Sequence, residues 1–90
     1  MKKHTKIYFN FFKIGEEDFV ACEVCTSKAV DIHHIEARGL GGSKEKDYIE
    51  NLVALCRNCH NNAGSSKIFN EKLKHKHLAY IKFFKEWKKN

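Results

Sequence analysis

Apolar residues cluster most densely between Lys6 and Ile14, where Ile7, Tyr8, Phe9, Phe11, Phe12 and Ile14 leave little room for polar side chains. This spacing predicts a short helix with Gly15 just past its end, although it also fits a strand. Glu16, Glu17 and Asp18 read as an acidic loop, with Phe19 and Val20 expected to pack beneath the first cysteine pair. Ala29 to Ile35 alternates as a strand does, placing Val30 and Ile32 on one face and Asp31 and His33 on the other. A polar, glycine-rich loop runs from Arg38 to Asp47, and Leu52 to Leu55 is a second short strand. Cys56 to Asn62 starts a helix that Gly64 should stop, and Ser65 or Ser66 can cap the next one. From about residue 66 to 88, Phe69, Leu73, Tyr80, Phe84 and Trp87 form one helical stripe, with Ile81 beside it and lysines opposite. The stripe reads as a core face. The expected class is therefore α+β, in the order helix, cysteine turn, strand, loop, strand, helix and long basic amphipathic helix.

At 90 residues the chain is expected to form a single domain, 1–90. So small a domain buries limited apolar surface and often needs a staple. Four cysteines are available for one. Cys22-x-x-Cys25 and Cys56-x-x-Cys59 each let two thiolates point at one ion, and together they complete a tetrahedral set. The 30 residues between Cys25 and Cys56 exceed a typical ribbon spacer of ~15–20. Strand and glycine loop occupy that extra length. With all four positions taken by sulfur, the expected Zn2+ is structural, contributing folding free energy on the order of 10 kcal/mol. Redox chemistry at one C-x-x-C would need a βαβ context, which the pattern lacks.

The charge balance is +6 before six histidines are counted. That suits a polyanion, nucleic acid ahead of an anionic membrane, though a solvated lysine-rich surface gives the same count. No apolar run approaches membrane-spanning length, and none of signal-peptide type precedes Lys13. The expected setting is a reducing one without membrane contact, where paired C-x-x-C motifs bind metal rather than form disulfides.

Within this cysteine frame lie AVDIHHI and, after the glycine loop, ENLVALCRNCH. An adjacent histidine pair is common, and each of His34, Asn51 and His60 alone would be unremarkable. Their joint order is far more restrictive: C-x-x-C, a strand with His-His, a glycine loop, Asn-Leu, then L-C-x-x-C-H. From about Cys22 to Asn62 the chain resembles the HNH endonucleases. The resemblance implies a ββα-metal (His-Me finger) fold with a four-cysteine zinc knuckle and flanking helices. It implies His33 as a metal ligand, His34 as general base, Asn51 as a brace that helps orient His34, and His60 as the second protein ligand. It also implies a catalytic divalent cation, Mg2+, Mn2+ or another transition metal, and hydrolysis leaving a 5′-phosphate and a 3′-hydroxyl. These types suit the chemistry: an imidazole near its ordinary pKa of ~6.5 can take a proton from water at neutral pH. A cation offsets charge on the scissile phosphate.

The chain departs from that family at Gly64, where many members carry a further ligand histidine; Asn61, Asn62, His75 and His77 are the nearest alternatives. In a regular strand His33 and His34 point to opposite faces, so the strand must end or bulge for both to serve one site. His4, His75 and His77 are expected to be exposed. Arg38, Lys44 and Arg57 could reach phosphates, and Lys72, Lys74, Lys76, Lys82 and Lys85 could add sequence-independent attraction. The leading expectation is a metal-dependent endonuclease or nickase acting on DNA, with RNA the other polyanion. It would work in the cytoplasm of a bacterial cell or phage-infected host, and a larger protein would supply sequence specificity. The alternatives are a zinc-stabilised nucleic-acid-binding module without catalysis and a zinc-knuckle adaptor that binds protein.

Overall fold

The computed structural model describes residues 1–37 and 44–88, with the Lys44 side chain left aside. Helix α1 spans Lys3–Phe12, strand β1 Asp31–His34, strand β2 Leu52–Leu55, helix α2 Arg57–Ser65 and helix α3 Lys67–Lys88. Single helical turns at Lys44–Lys46 and Ile49–Asn51 lead into β2. The element order is the one expected. The glycines of the expected loop, with Arg38, lie outside the described residues.

The two strands pair antiparallel, with Ile32 opposite Ala54, His33 opposite Val53 and His34 opposite Leu52. Because side chains alternate, this small sheet has two faces with different tasks. Ile32, Leu52 and Ala54 join Tyr8 and Phe12 of α1 and Ile81 of α3 in one buried cluster. Val53 and Leu55 join Cys22, Cys56, Cys59, Ala63 of α2 and Leu73 of α3 in the other. The sheet is thus clamped between α1 and α2, and α3 runs past both clusters. The result is a small α+β structure consistent with the HNH ββα-metal fold.

Helix α1 buries His4, Tyr8 and Phe12, a line of residues four apart. It ends at Lys13, which takes a left-handed conformation (φ 58°) rather than leaving that place to Gly15. The Lys13 and Ile14 amides both donate to the Phe9 carbonyl, and the turn returns Ile14 to the core. Gly15 has another use: its N–H donates to the Asp18 carboxylate at 2.6 Å, where a Cβ would sit only 3.0 Å from that oxygen. Phe19 is exposed, contrary to the expected packing, and Val20 packs against the Tyr8 and Phe12 cluster rather than beneath the cysteines. Gly64 does not stop α2. The helix runs to Ser65 and ends because Ser66 turns extended and its hydroxyl accepts the Phe69 N–H at 3.1 Å, capping α3.

The buried line of α3 is Leu73, His77 and Ile81, so the helix is rotated from the expected stripe and Tyr80 and Trp87 are exposed. Polar bonding sets this rotation. His77 is fully buried, with Nδ1 2.7 Å from Glu23 Oε1 and Nε2 2.7 Å from the Ile49 carbonyl. Tyr8 donates its hydroxyl to the other Glu23 oxygen at 2.6 Å. A carbonyl only accepts, so His77 Nε2 carries a hydrogen, and the Nδ1–carboxylate contact shares a second proton. Burial, then the Glu23 charge, pushes the Tyr8 phenol far above its ordinary pKa, so it remains a donor. Among the described residues every buried side-chain nitrogen and oxygen has a partner. His77→Ala would strand Glu23 and the Ile49 carbonyl, and the expected cost is roughly 3–5 kcal/mol in urea unfolding of the metal-loaded protein. Trp87→Ala, at an exposed position, should stay within about 0.5 kcal/mol of wild type.

Candidate functional site

A tight turn organises the first cysteine pair. The Cys22 amide donates to the Ser27 carbonyl, the Thr26 amide returns to the Cys22 carbonyl, and Thr26 takes a positive φ of 68°. A bridge between Ala21 and Lys28 closes the loop. The second pair straddles the start of α2, with Cys56 preceding the helix and Cys59 inside it. The four sulfurs all lie within 4.8 Å of one another, with Cys25 and Cys56 at 3.5 Å, and none is disulfide-bonded. Sulfurs about 2.3 Å from one tetrahedral ion stand about 3.8 Å apart, so the spacing fits a Zn2+ site. Hydrogen bonds from Ser27 draw the Cys25 thiol down to about 6, while burial pushes Cys59 up. Thiolates this close need a cation to ionise together. The arrangement is closed and leaves no position for substrate.

Above the sheet end lies a cleft of about 360 Å³ lined by Lys2, His4, Asp31, Ile32, His33, His34, Ala37 and His60. Strand alternation delivers its histidines from two directions. His33 points to the α2 face, where its ring meets that of His60 edge-on at a centroid distance of 5.1 Å. Asn70, on the first turn of α3, donates from Nδ2 to the Ile35 carbonyl, so its Oδ1 is the atom facing His33 Nε2 at 3.2 Å. His33 Nε2 therefore carries the hydrogen and Nδ1 keeps a lone pair, the pattern of an oriented metal ligand. Burial, ahead of repulsion from His60 and His34, holds the His33 pKa below its ordinary value and favours the neutral, ligating form. The His60 Nε2 to Asp31 Oδ2 distance is 3.6 Å, too long for a hydrogen bond and close to the separation of two donors about 2 Å from one ion.

His34 points the other way, towards α1. Its Nε2 lies 2.7 Å from Asp47 Oδ1, and its ring packs against that of His4 at 4.6 Å. Facing a carboxylate, Nε2–H donates, which leaves Nδ1 as the acceptor. His4 is buried rather than exposed as expected, and burial followed by His34 lowers its pKa. Asn51 is buried, and the side-chain hydrogen bonds it makes among the described residues go to Glu36 and Lys46 rather than to His34. Its Oδ1 accepts the Glu36 N–H at 2.7 Å, and its Nδ2 donates to the Glu36 and Lys46 carbonyls at 3.0 and 2.9 Å. It thus pins the two stems of the loop together, and Asp47 follows directly on the pinned Lys46. An ion pair between Lys46 and Glu36 spans the same stems at 2.7 Å.

The strand needs no bulge for both histidines to reach the cleft. β1 ends at His34, and the cleft opens over that end, so opposite faces share one mouth. Sequence reasoning missed Asp47, Asn70 and His4. Nothing near Asp47 separates it from a solvated loop acid, whereas His4, Tyr8 and Phe12 at four-residue spacing carry a weak signal that His4 faces inward. Gly64 has open space around it, so packing does not explain the glycine. Arg57 is exposed at the start of α2, Arg38 lies outside the described residues, and the lysines of α3 named above are exposed.

The model of the HNH endonuclease family matches residues 22–66, half of the chain. The chain belongs to the HNH endonuclease family. The match covers both cysteine pairs, the sheet and α2, and so takes in the whole ββα unit of this HNH protein. No curated protein and no solved structure matched the chain in the same comparisons. Membership implies nuclease-type function on nucleic acid. Protein purified under reducing conditions without an affinity tag should carry about one equivalent of zinc that survives mild chelation. Cys59→Ser should release that zinc and lose cooperative unfolding; retention of both would exclude a structural four-thiol site.

Proposed function

We infer that this HNH protein is a metal-dependent endonuclease that hydrolyses DNA phosphodiester bonds, with His34 as general base and one divalent cation held by His33 and His60. The observation that carries this reading is the placement of a carboxylate-held imidazole, His34–Asp47, in the same cleft as the paired rings of His33 and His60. Asp47 keeps the hydrogen on Nε2, so His34 presents Nδ1 to a water molecule and takes its proton. Asn70 sets the ring of His33, and a carboxylate oxygen of Asp31 stands 3.6 Å from His60 Nε2. These donors fit an open site: two imidazoles and an exposed carboxylate leave room for water and phosphate oxygens. A divalent cation bound there supplies positive charge to the scissile phosphate and the departing oxygen. The supporting Zn2+ belongs to the four cysteines and takes no part in the reaction.

Substrate is held by charge. Arg57 stands three residues before His60 on α2, and Lys44 opens the turn before Asp47, so both lie close in sequence to the cleft. Exposed lysines of α3 add a diffuse, salt-sensitive attraction. No described element is shaped as a separate reading head for bases, and sequence specificity is assigned to a larger protein partner. The setting is the cytoplasm of a bacterial or phage-infected cell.

The experiment is a supercoiled-plasmid assay across divalent cations. Wild type should nick with little sequence preference, since one site attacks one strand at a time. His34→Ala should lose roughly 10²–10⁴-fold in rate, while zinc content, unfolding and DNA affinity stay near wild type. His33→Ala should instead be partly rescued by more divalent cation. Identical responses of the two variants to added metal would overturn the assignment of base and ligand. A wild type that cuts neither DNA nor RNA with any common cation, yet binds DNA in a salt-dependent way, would make it a zinc-stabilised binding module.

A further inference from the structure

Three segments distant in sequence deliver nitrogen and oxygen donors to one point on the α1 side of the cleft. His4 comes from α1, His34 from the end of β1, and Asp47 from the residue after the turn Lys44–Lys46. One donor atom from each lies within 4.8 Å of the other two. His4 is 8% exposed, and the His34 and Asp47 side chains are 13% and 3% exposed, so the donors are held by packing rather than loose on the surface. The cleft of about 360 Å³ reaches both His4 and His34, giving an ion a way in. Two imidazoles and one carboxylate, with room for water, form the donor set of a borderline-soft transition metal; Mg2+ prefers oxygen. His33 and His60 lie on the opposite face of the sheet, so this cluster is separate from the proposed catalytic metal.

We propose that His4, His34 and Asp47 form a second metal site, selective for Zn2+-like ions, whose occupation switches the nuclease off. The ring chemistry requires the inhibition. As the base, neutral His34 carries its hydrogen on Nε2, towards Asp47, and uses the Nδ1 lone pair. A metal at Nδ1 takes that lone pair directly. A metal at Nε2 displaces the hydrogen, and a neutral ring then carries it on Nδ1, where no proton can be accepted. Either mode removes the base with no change of fold. The inhibitory step rests on His34 as general base; the metal site itself does not.

Two measurements on the full zinc-loaded chain separate these layers. The first is a Co2+ titration of His60→Ala, which disables the other candidate site. One further Co2+ should bind with the visible absorption of nitrogen and oxygen ligands and without the sulfur-to-metal band of a cysteine site. Adding His4→Gln should weaken that binding by at least roughly tenfold, and so should adding Asp47→Asn, the second variant guarding against misfolding of the first. No further Co2+ in His60→Ala, or binding unaffected by both added substitutions, overturns the site. The second measurement is plasmid nicking at saturating Mg2+ with increasing Zn2+. Zn2+ should inhibit wild type, and the Zn2+ concentration for half inhibition should rise at least roughly tenfold in His4→Gln, relative to that variant's own zinc-free rate. Equal sensitivity overturns the inhibitory role. If wild type cuts no nucleic acid, the nuclease reading and the switch fall together, while the Co2+ titration still decides the site.

Discussion

Two tight cysteine turns, separated by 30 residues of chain, bring four sulfurs within 4.8 Å of one another, and the remainder of the fold is arranged around that convergence. Cys22 opens the turn that precedes β1, and Cys56 follows directly on β2. A metal held by all four sulfurs would tie the strand pair to the start of α2. A two-stranded sheet by itself is marginal in water. Here the four thiols lie at one end of the sheet and the Asn51 brace near the other, so a metal at the thiols would oppose slippage of the pairing from both ends. A slip of one residue would exchange the faces of His33 and His34.

That exchange matters because the site is built from strand alternation. One strand end sends His33 to α2 and His34 to α1, and the helices receive them with different partners. On the α2 side the receiving groups are His60, Asn70 and the nearby Asp31, a set suited to holding a cation. On the α1 side Asp47 and His4 receive His34, a set that controls where the ring hydrogen sits. His33 and His34 are adjacent in sequence yet face opposite sides of the strand. Burial further disfavours the charged forms of His33 and His4.

The fold also buries a polar group with no place in the cleft. Glu23, inside the first cysteine turn, accepts from Tyr8 of α1 and shares a proton with His77 of α3, whose other nitrogen holds the carbonyl of Ile49. Four segments meet there. Apolar residues could fill the volume, but they would not specify how α3 is rotated. The bonds of His77 do, and they place Leu73 and Ile81 inward and Trp87 outward. A fully satisfied buried network acts as a specificity device of this kind.

Much was legible from the chain alone, for reasons of spacing. The C-x-x-C pairs, the helix–strand–strand–helix order, the limits of β2 and the family signature are all local patterns, carried by residues within a few positions of each other. Features that depend on distant partners were not. Gly15 looked like a helix end, but the return of Ile14 to the core placed the left-handed residue at Lys13. The apolar stripe of α3 was misplaced because a histidine with two buried partners outranks an aromatic ring that can lie on the surface. His4, Asp47 and Asn70 are an ordinary histidine, loop acid and helix amide until the sheet brings His33 and His34 to them. Sequence by itself determined which chemical groups the protein owns and the local turns that bear them. Tertiary structure alone decided which nitrogen of each imidazole is free, because that depends on hydrogen-bond partners 13 to 37 residues away along the chain.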